Sequence, residues 1–349
     1  MNSNGEGVMV SRDEALDATK GILIIFLVLH HIVDVGMGKY GIQNGFLALM
    51  YAVQRPVALC FFMQCFFIIT GMCSNFNRDF KTFLIKQIRT LIFPAFLFEL
   101  AIWAFGDDSR DLADFLWNFA TTGGRYWFIT ALFCAKMLYW LCSKAVKGTW
   151  TLLGIGLVLN AGATLLNYYK IIPDYYFHRQ MLDLFLFLAV GNQFKAFVLR
   201  SSCAVWPVVA YASCVAIGYV FCGVKLPYVT AGFGTTPTTW LLHLLLAFSG
   251  SVTILALGRL AKEIKWLNNL GRMTMIVYFM QGFMLVFLMD AFKGYFFRMD
   301  YGYSVALVFV VLATVLAVSG SVAFVMNNSF LRVCLGKPLR KLSSISYNG

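Results

Sequence analysis

Of the 349 residues, 60% are hydrophobic and only 13% charged, the mean hydropathy is +0.74 and the net charge is +12. No soluble globular chain of ordinary composition is this apolar, so the sequence reads as a polytopic membrane protein. The apolar runs follow one another with short polar breaks and no linker, which predicts one integral domain over about 20–325. Cytoplasmic tails 1–19 and 326–349 flank it, the second of them basic. Nothing remains for a soluble catalytic domain, so any active site must be assembled from span ends and intramembrane polar groups.

In chain order, predicted spans cover about 20–36, 52–73, 90–106, 125–142, 149–166, 181–198, 203–222, 240–258, 273–290 and 303–325. The expected fold is therefore an all-α integral membrane protein of about ten helices, with both termini on one side. The first run is not read as a cleavable leader, because a mostly acidic polar stretch precedes it and no small-residue cleavage site follows. Only Lys39, Arg110, Arg125, Lys170, Arg179, Lys225, Lys293 and Arg298 among the loop cations fall on the side away from the termini. The larger number on the terminal side, including Lys337, Arg340 and Lys341, makes the termini cytoplasmic. The acidic residues Asp107, Asp108, Asp111, Asp114, Asp174, Asp290 and Asp300 then lie outside. The cations are spread over separate loops, which suits anionic lipid headgroups and not nucleic acid.

The first run carries the most information. A charge at a helix centre costs about 2.5 to 3.5 kcal/mol on insertion, so intramembrane ionisable groups point to function. Lys20 stands eleven residues before His31; at 3.6 residues per turn both share one face, separated by about 16 Å along the axis. Asp34 follows His31 by three residues and can reach it. His30 points about 100° away and is read as packing.

Other polar groups in the spans are read more plainly. Glu99 and Arg55, the latter beside Pro56, are costly alone and suit a structural pair. Lys136 is expected to snorkel. Arg125, Tyr126 and Trp127 form an outer aromatic belt or contact a sugar ring. His178 and His243 are read as structural. The nine cysteines show no CxxC and no metal-ligand spacing, and read as small apolar packing residues. The patches Ser249-Gly250-Ser251 and Ser319-Gly320-Ser321 suggest close helix crossings.

Four segments belong together: Asp17, Lys20 and His31; Phe66, Phe67, Thr70 and Gly71; Arg89 with Pro94, then Trp127 and Phe128; and Gly271, Arg272, Thr274, Tyr278 and Gln281. In this order and at these intervals, over about 12–335, they resemble the membrane-bound acyltransferase 3 family, especially its fucose 4-O-acetylase-like branch of sugar O-acetyltransferases. Gln64 replaces a Pro usual in the second segment, and Gln281 replaces a His frequent in the fourth.

The resemblance implies transfer of an acyl group, usually acetyl, from cytoplasmic acyl-CoA (acetyl-CoA), a co-substrate with no bound cofactor besides, to a hydroxyl of a saccharide or other small acceptor; the expected acceptor is a saccharide or glycolipid of a bacterial envelope, and the expected location the cytoplasmic membrane. His31 and Asp34 are expected to carry catalysis, and Lys20, Arg89 and Arg272 to meet the acyl-CoA phosphates. Glu99, Arg125, Trp127, Tyr278 and Gln281 are expected to contact the acceptor. The first span supports this independently: cations at the membrane edge meet phosphates, and a neutral imidazole deeper in takes the hydroxyl's proton, oriented by Asp34. A transporter or flippase without covalent chemistry is the alternative, although the chain shows no two similar halves.

Overall fold

The computed structural model describes residues 13–39, 45–57, 59–105, 111–171, 177–195, 205–222, 236–298 and 301–335. Asp107, Asp108, Arg110, Asp174, Lys225, Asp300 and the cations beyond 335 lie outside the described residues, as does the Arg55 side chain.

Helix α1 (Glu14–Asp34) starts ahead of the apolar run. Asp13 caps it, its Oδ1 accepting from Ala15 N (3.0 Å) and Leu16 N (3.2 Å), and Glu14 and Asp17 complement the N-terminal end of the dipole. A π-helical turn, Val35–Lys39, follows. The second predicted span is two helices, α2 (Gly45–Val57) and α3 (Phe62–Cys73). Pro56 offers no N–H in the last turn of α2, and Leu59 N reaches back to Gln54 O (3.2 Å) as the chain turns.

Helices α4 (Phe80–Gln87) and α5 (Phe93–Phe105) are joined by a π turn, Ile88–Ile92. Pro94 cannot donate to the carbonyl four residues back, and Phe93 N bonds Ile88 O instead, widening the helix at Arg89. Helix α6 (Leu112–Thr122) stops at Gly123, in the left-handed region with φ 77°; Gly124, with φ 60°, begins a 3₁₀ turn, Gly124–Tyr126, that enters α7 (Trp127–Ala145). Then come α8 (Thr149–Tyr168), α9 (Phe177–Gln193), α10 (Val205–Cys222), α11 (Trp240–Leu260), α12 (Lys265–Arg272), α13 (Thr274–Arg298) and α14 (Tyr301–Asn328).

Among the described residues no strand occurs, and seven stretches are long and apolar enough to cross a membrane: 14–37, 80–105, 112–145, 149–168, 240–260, 274–292 and 305–328. Shorter apolar helices cover 62–73 and 205–220. Among the described residues each predicted span overlaps a helix, the second of them two helices, and the protein is an all-α membrane protein.

Two helices act as hubs. Leu184 through Ala189 of α9 are all buried, so this middle stretch is apolar all round and sits inside; the helix packs against α3, α7 and α8. Helix α1 packs against α11, α12, α13 and α14, and α3 touches both hubs. The α3–α9 crossing is close enough that a Cβ on Gly71 would lie 2.2 Å from Leu188 O, and one on Gly191 2.0 Å from Ile68 O. Of the two small-residue patches, Gly250 does meet a neighbour tightly, Phe61. Gly320 does not: a Cβ there would touch only Met273 Cε, at 3.9 Å.

Candidate active site

A cavity of about 610 Å³ opens among α1, α3, α7, α8, α9, α11 and α13. It occupies one end of the bundle. Lys20 lies at the other end, since the far ends of α3 and α9 meet there through Asn192 Nδ2 and Gly71 O (3.2 Å) and Gly258 of α11 abuts Thr19. Helix α1 runs unbroken from Lys20 to His31, so the sequence-derived separation of about 16 Å holds.

His31 and Asp34 both line the cavity, with Asp34 acting electrostatically on the imidazole. His30 lines it too, contrary to the packing role expected from its 100° offset. The cavity wraps far enough around α1 to take both side chains. His30 Nδ1 lies 3.3 Å from Gln54 Nε2, and its ring stands 5.1 Å from that of His31.

Arg125 reaches the cavity from the turn before α7, and Trp127 from the first position of α7. That turn depends on glycine twice over: Gly124 has positive φ, and a Cβ there would sit 2.8 Å from the Glu99 carboxylate. Glu99 Oε2 accepts from Arg125 N (3.2 Å), and Thr122 Oγ1 accepts from Gly124 N (3.0 Å). Glu99, expected to contact the acceptor, is therefore not in the cavity lining. It is buried behind the turn and holds the backbone that presents Arg125. Its expected pairing with Arg55 falls outside the described side chains.

Tyr278 and Gln281 come from α13, nearly buried, one turn apart on one face. Tyr126 fastens this helix by donating to Phe279 O (2.8 Å) and stacking edge-on against the Phe279 ring.

The residues expected to meet acyl-CoA divide into two groups. Lys20 Nζ pairs with Asp17 Oδ1 (2.6 Å), and Arg272 Nε with Asp17 Oδ2 (3.2 Å); Arg272 Nη2 also lies 4.0 Å from Glu14 Oε1. Asp17 is 1% exposed, and the backbone of Gly271 is packed against it. One buried carboxylate thus ties two cations from opposite ends of the sequence. Arg89 is exposed on its π turn, and among the described residues no ion pair links it to this cluster. Lys136, expected to snorkel, is instead buried in α7, with Lys86 as its charged neighbour.

Sequence reasoning missed part of the cavity wall. Arg179, Gln180 and Asp183 of α9, Asn167 and Thr164 of α8, Gln64 of α3 and His243 of α11 all line it. Arg179 Nη1 donates to Asn167 Oδ1 (2.5 Å). Asn160 Nδ2 donates to Asp183 Oδ1 (2.7 Å), and Trp240 Nε1 donates to Asn160 Oδ1 (2.7 Å). His243, read as structural, is a cavity residue. The i, i+4 spacing of Arg179 and Asp183 in a largely apolar helix was the one signal that could have drawn attention to α9.

A helical bundle that gathers His30, His31, His243, Asp34 and Asp183 with Arg125 and Arg179 around one cavity, and holds Lys20 and Arg272 on Asp17 at the opposite end, defines a membrane protein with an internal polar site. Residues 13–326 match the family model of acyltransferase 3, described as an acyltransferase domain, and the chain belongs to that family. It is a membrane acyltransferase. No curated protein and no solved structure matches it.

Proposed function

We propose that the protein is an O-acetyltransferase of the fucose 4-O-acetylase-like kind, moving acetyl from cytoplasmic acetyl-CoA to a hydroxyl of a saccharide or glycolipid. The observation that carries this reading is the convergence of His31, Asp34, Arg125, Trp127, Tyr278 and Gln281 on one cavity, about 16 Å along α1 from a cationic end. The CoA phosphates meet Lys20 and Arg272, with Arg89 as a further surface cation, and the extended pantetheine arm carries the thioester toward His31. The acceptor hydroxyl attacks the thioester carbonyl carbon as its proton passes to the His31 imidazole. The tetrahedral intermediate collapses, the C–S bond breaks, and the CoA thiolate leaves and takes the proton from the His31 imidazolium, which restores the neutral base. Asp34 stabilises the imidazolium, and proton transfer of this kind is worth typically about 10²- to 10⁴-fold.

The termini and donor are on the cytoplasmic side in this reading, so the acceptor approaches from the opposite side and only the acyl group crosses. In proteoliposomes exposing the cytoplasmic face, external acetyl-CoA acetylates a saccharide trapped in the lumen and leaves stoichiometric free CoA outside. Movement of unmodified saccharide without CoA release would instead make the protein a transporter.

A further inference from the structure

We propose that Asp183, with Arg179 beside it and the carboxamides of Gln64 and Gln281 on the flanking walls, forms a subsite that holds the non-reacting hydroxyls of a polyhydroxylated ring. The inference deepens the proposed function and rests on it only for the fate of the reacting hydroxyl.

The first observation is preorganisation. Trp240 donates to Asn160 (2.7 Å) and Asn160 to Asp183 (2.7 Å), a relay from α11 through α8 to α9 that fixes the carboxylate with its remaining surface open to the cavity. Asn160 Nδ2 also donates to Asp183 O (2.8 Å), so backbone and side chain are held together. Arg179 stands one turn earlier on the same face, 4% exposed, its guanidinium set by Asn167 (2.5 Å). A rigid acceptor and a rigid donor thus sit side by side. Opposite in charge, and with the buried His243 also facing Asp183, they suit a ligand that carries both donors and acceptors.

The second observation is independent of the first. Gln64 and Gln281 are 5% and 2% exposed, both line this cavity, and neither carboxamide oxygen has a hydrogen-bond partner among the described residues. An unsatisfied buried polar group costs about 1–3 kcal/mol. Each carboxamide carries two donors and one acceptor, and no protein group among the described residues holds its oxygen. Hydroxyl groups, which both donate and accept, satisfy all four side chains at once. Trp127, in the same lining, offers an apolar face to the ring.

The test uses the purified full chain with methyl hexopyranosides and their monodeoxy analogues as probes, read by CoA release from acetyl-CoA and by thermal shift without donor. Asp183→Asn can still accept from Asn160 while losing the charge, so it keeps the relay. It raises the KM for the best glycoside by about 10- to 100-fold, the weight of a charge-assisted hydrogen bond, while the KM for acetyl-CoA holds. One monodeoxy analogue shows the same penalty with the unaltered enzyme and none further with Asp183→Asn, a coupling that a merely structural role does not produce. Trp240→Phe, which frees Asn160, gives a smaller effect of the same kind.

Turnover with unchanged glycoside KM and unchanged analogue selectivity in Asp183→Asn overturns the subsite and leaves the enzyme reading intact. A glycoside-induced thermal shift that Asp183→Asn abolishes, without CoA release, supports the subsite and rejects the acetyltransferase. No shift and no turnover with any glycoside rejects both.

Discussion

Gly191→Ala tests whether the α3–α9 crossing sets the cavity's dimensions. An added Cβ would lie 2.0 Å from Ile68 O, 2.7 Å from Ile68 C and 2.8 Å from Ile68 Cα, all backbone atoms that no rotamer change can move. Restoring an ordinary 3.4 Å contact requires the two helices to part by about 1.4 Å. Overpacking of this sort costs about 1–3 kcal/mol. Because α3 carries Gln64 and α9 carries Asp183, the separation also widens the cavity, and a displacement of about 1 Å can lower turnover by about 10²-fold. Gly162→Ala is the control: nothing lies within 4 Å of its Cβ, and alanine gains about 0.5–1 kcal/mol in a helix interior. Thermal unfolding in detergent and CoA release read both effects. A Gly191→Ala protein that melts and turns over like the unaltered one, or a Gly162→Ala protein equally damaged, would refute the reasoning.

Three more outcomes are expected. His31→Ala lowers CoA release by about 10²- to 10⁴-fold, whereas His30→Ala, whose ring faces Gln54, keeps most of it; equal losses would show that the two imidazoles are not distinguished. Lys20→Ala and Arg272→Ala each raise the KM for acetyl-CoA, and the double variant falls short of the product because both cations share Asp17; fully multiplicative effects would mean they act separately. Gly124→Ala, strained in φ and set against Glu99, shifts the turn that carries Arg125 and Trp127. It raises the acceptor KM more than the acetyl-CoA KM, and the opposite order in steady-state kinetics would remove this turn from the acceptor side.

What the sequence determined by itself is whatever helical periodicity and hydropathy control. Composition made the protein a membrane bundle, and the eleven-residue interval placed Lys20 and His31 on one face because α1 is continuous between them. Asp17 as the partner of Lys20 was within reach of the same rule, three residues away on one helix. Single-helix rules could not show which other helices complete the site. Arg272 joins Asp17 across 255 residues, and Asp183, Gln64 and His243 meet His31 only because α3, α9 and α11 pack at glycine-thin crossings. The 100° offset between His30 and His31 holds on the helix itself. The packing role read from it failed because the width of the cavity is a property of the assembled bundle. Glu99 shows the same limit in reverse: its burial was legible as costly, but its role as the anchor of a backbone turn depends on Gly123 and Gly124 bringing Arg125 N to it, a contact that only tertiary packing creates.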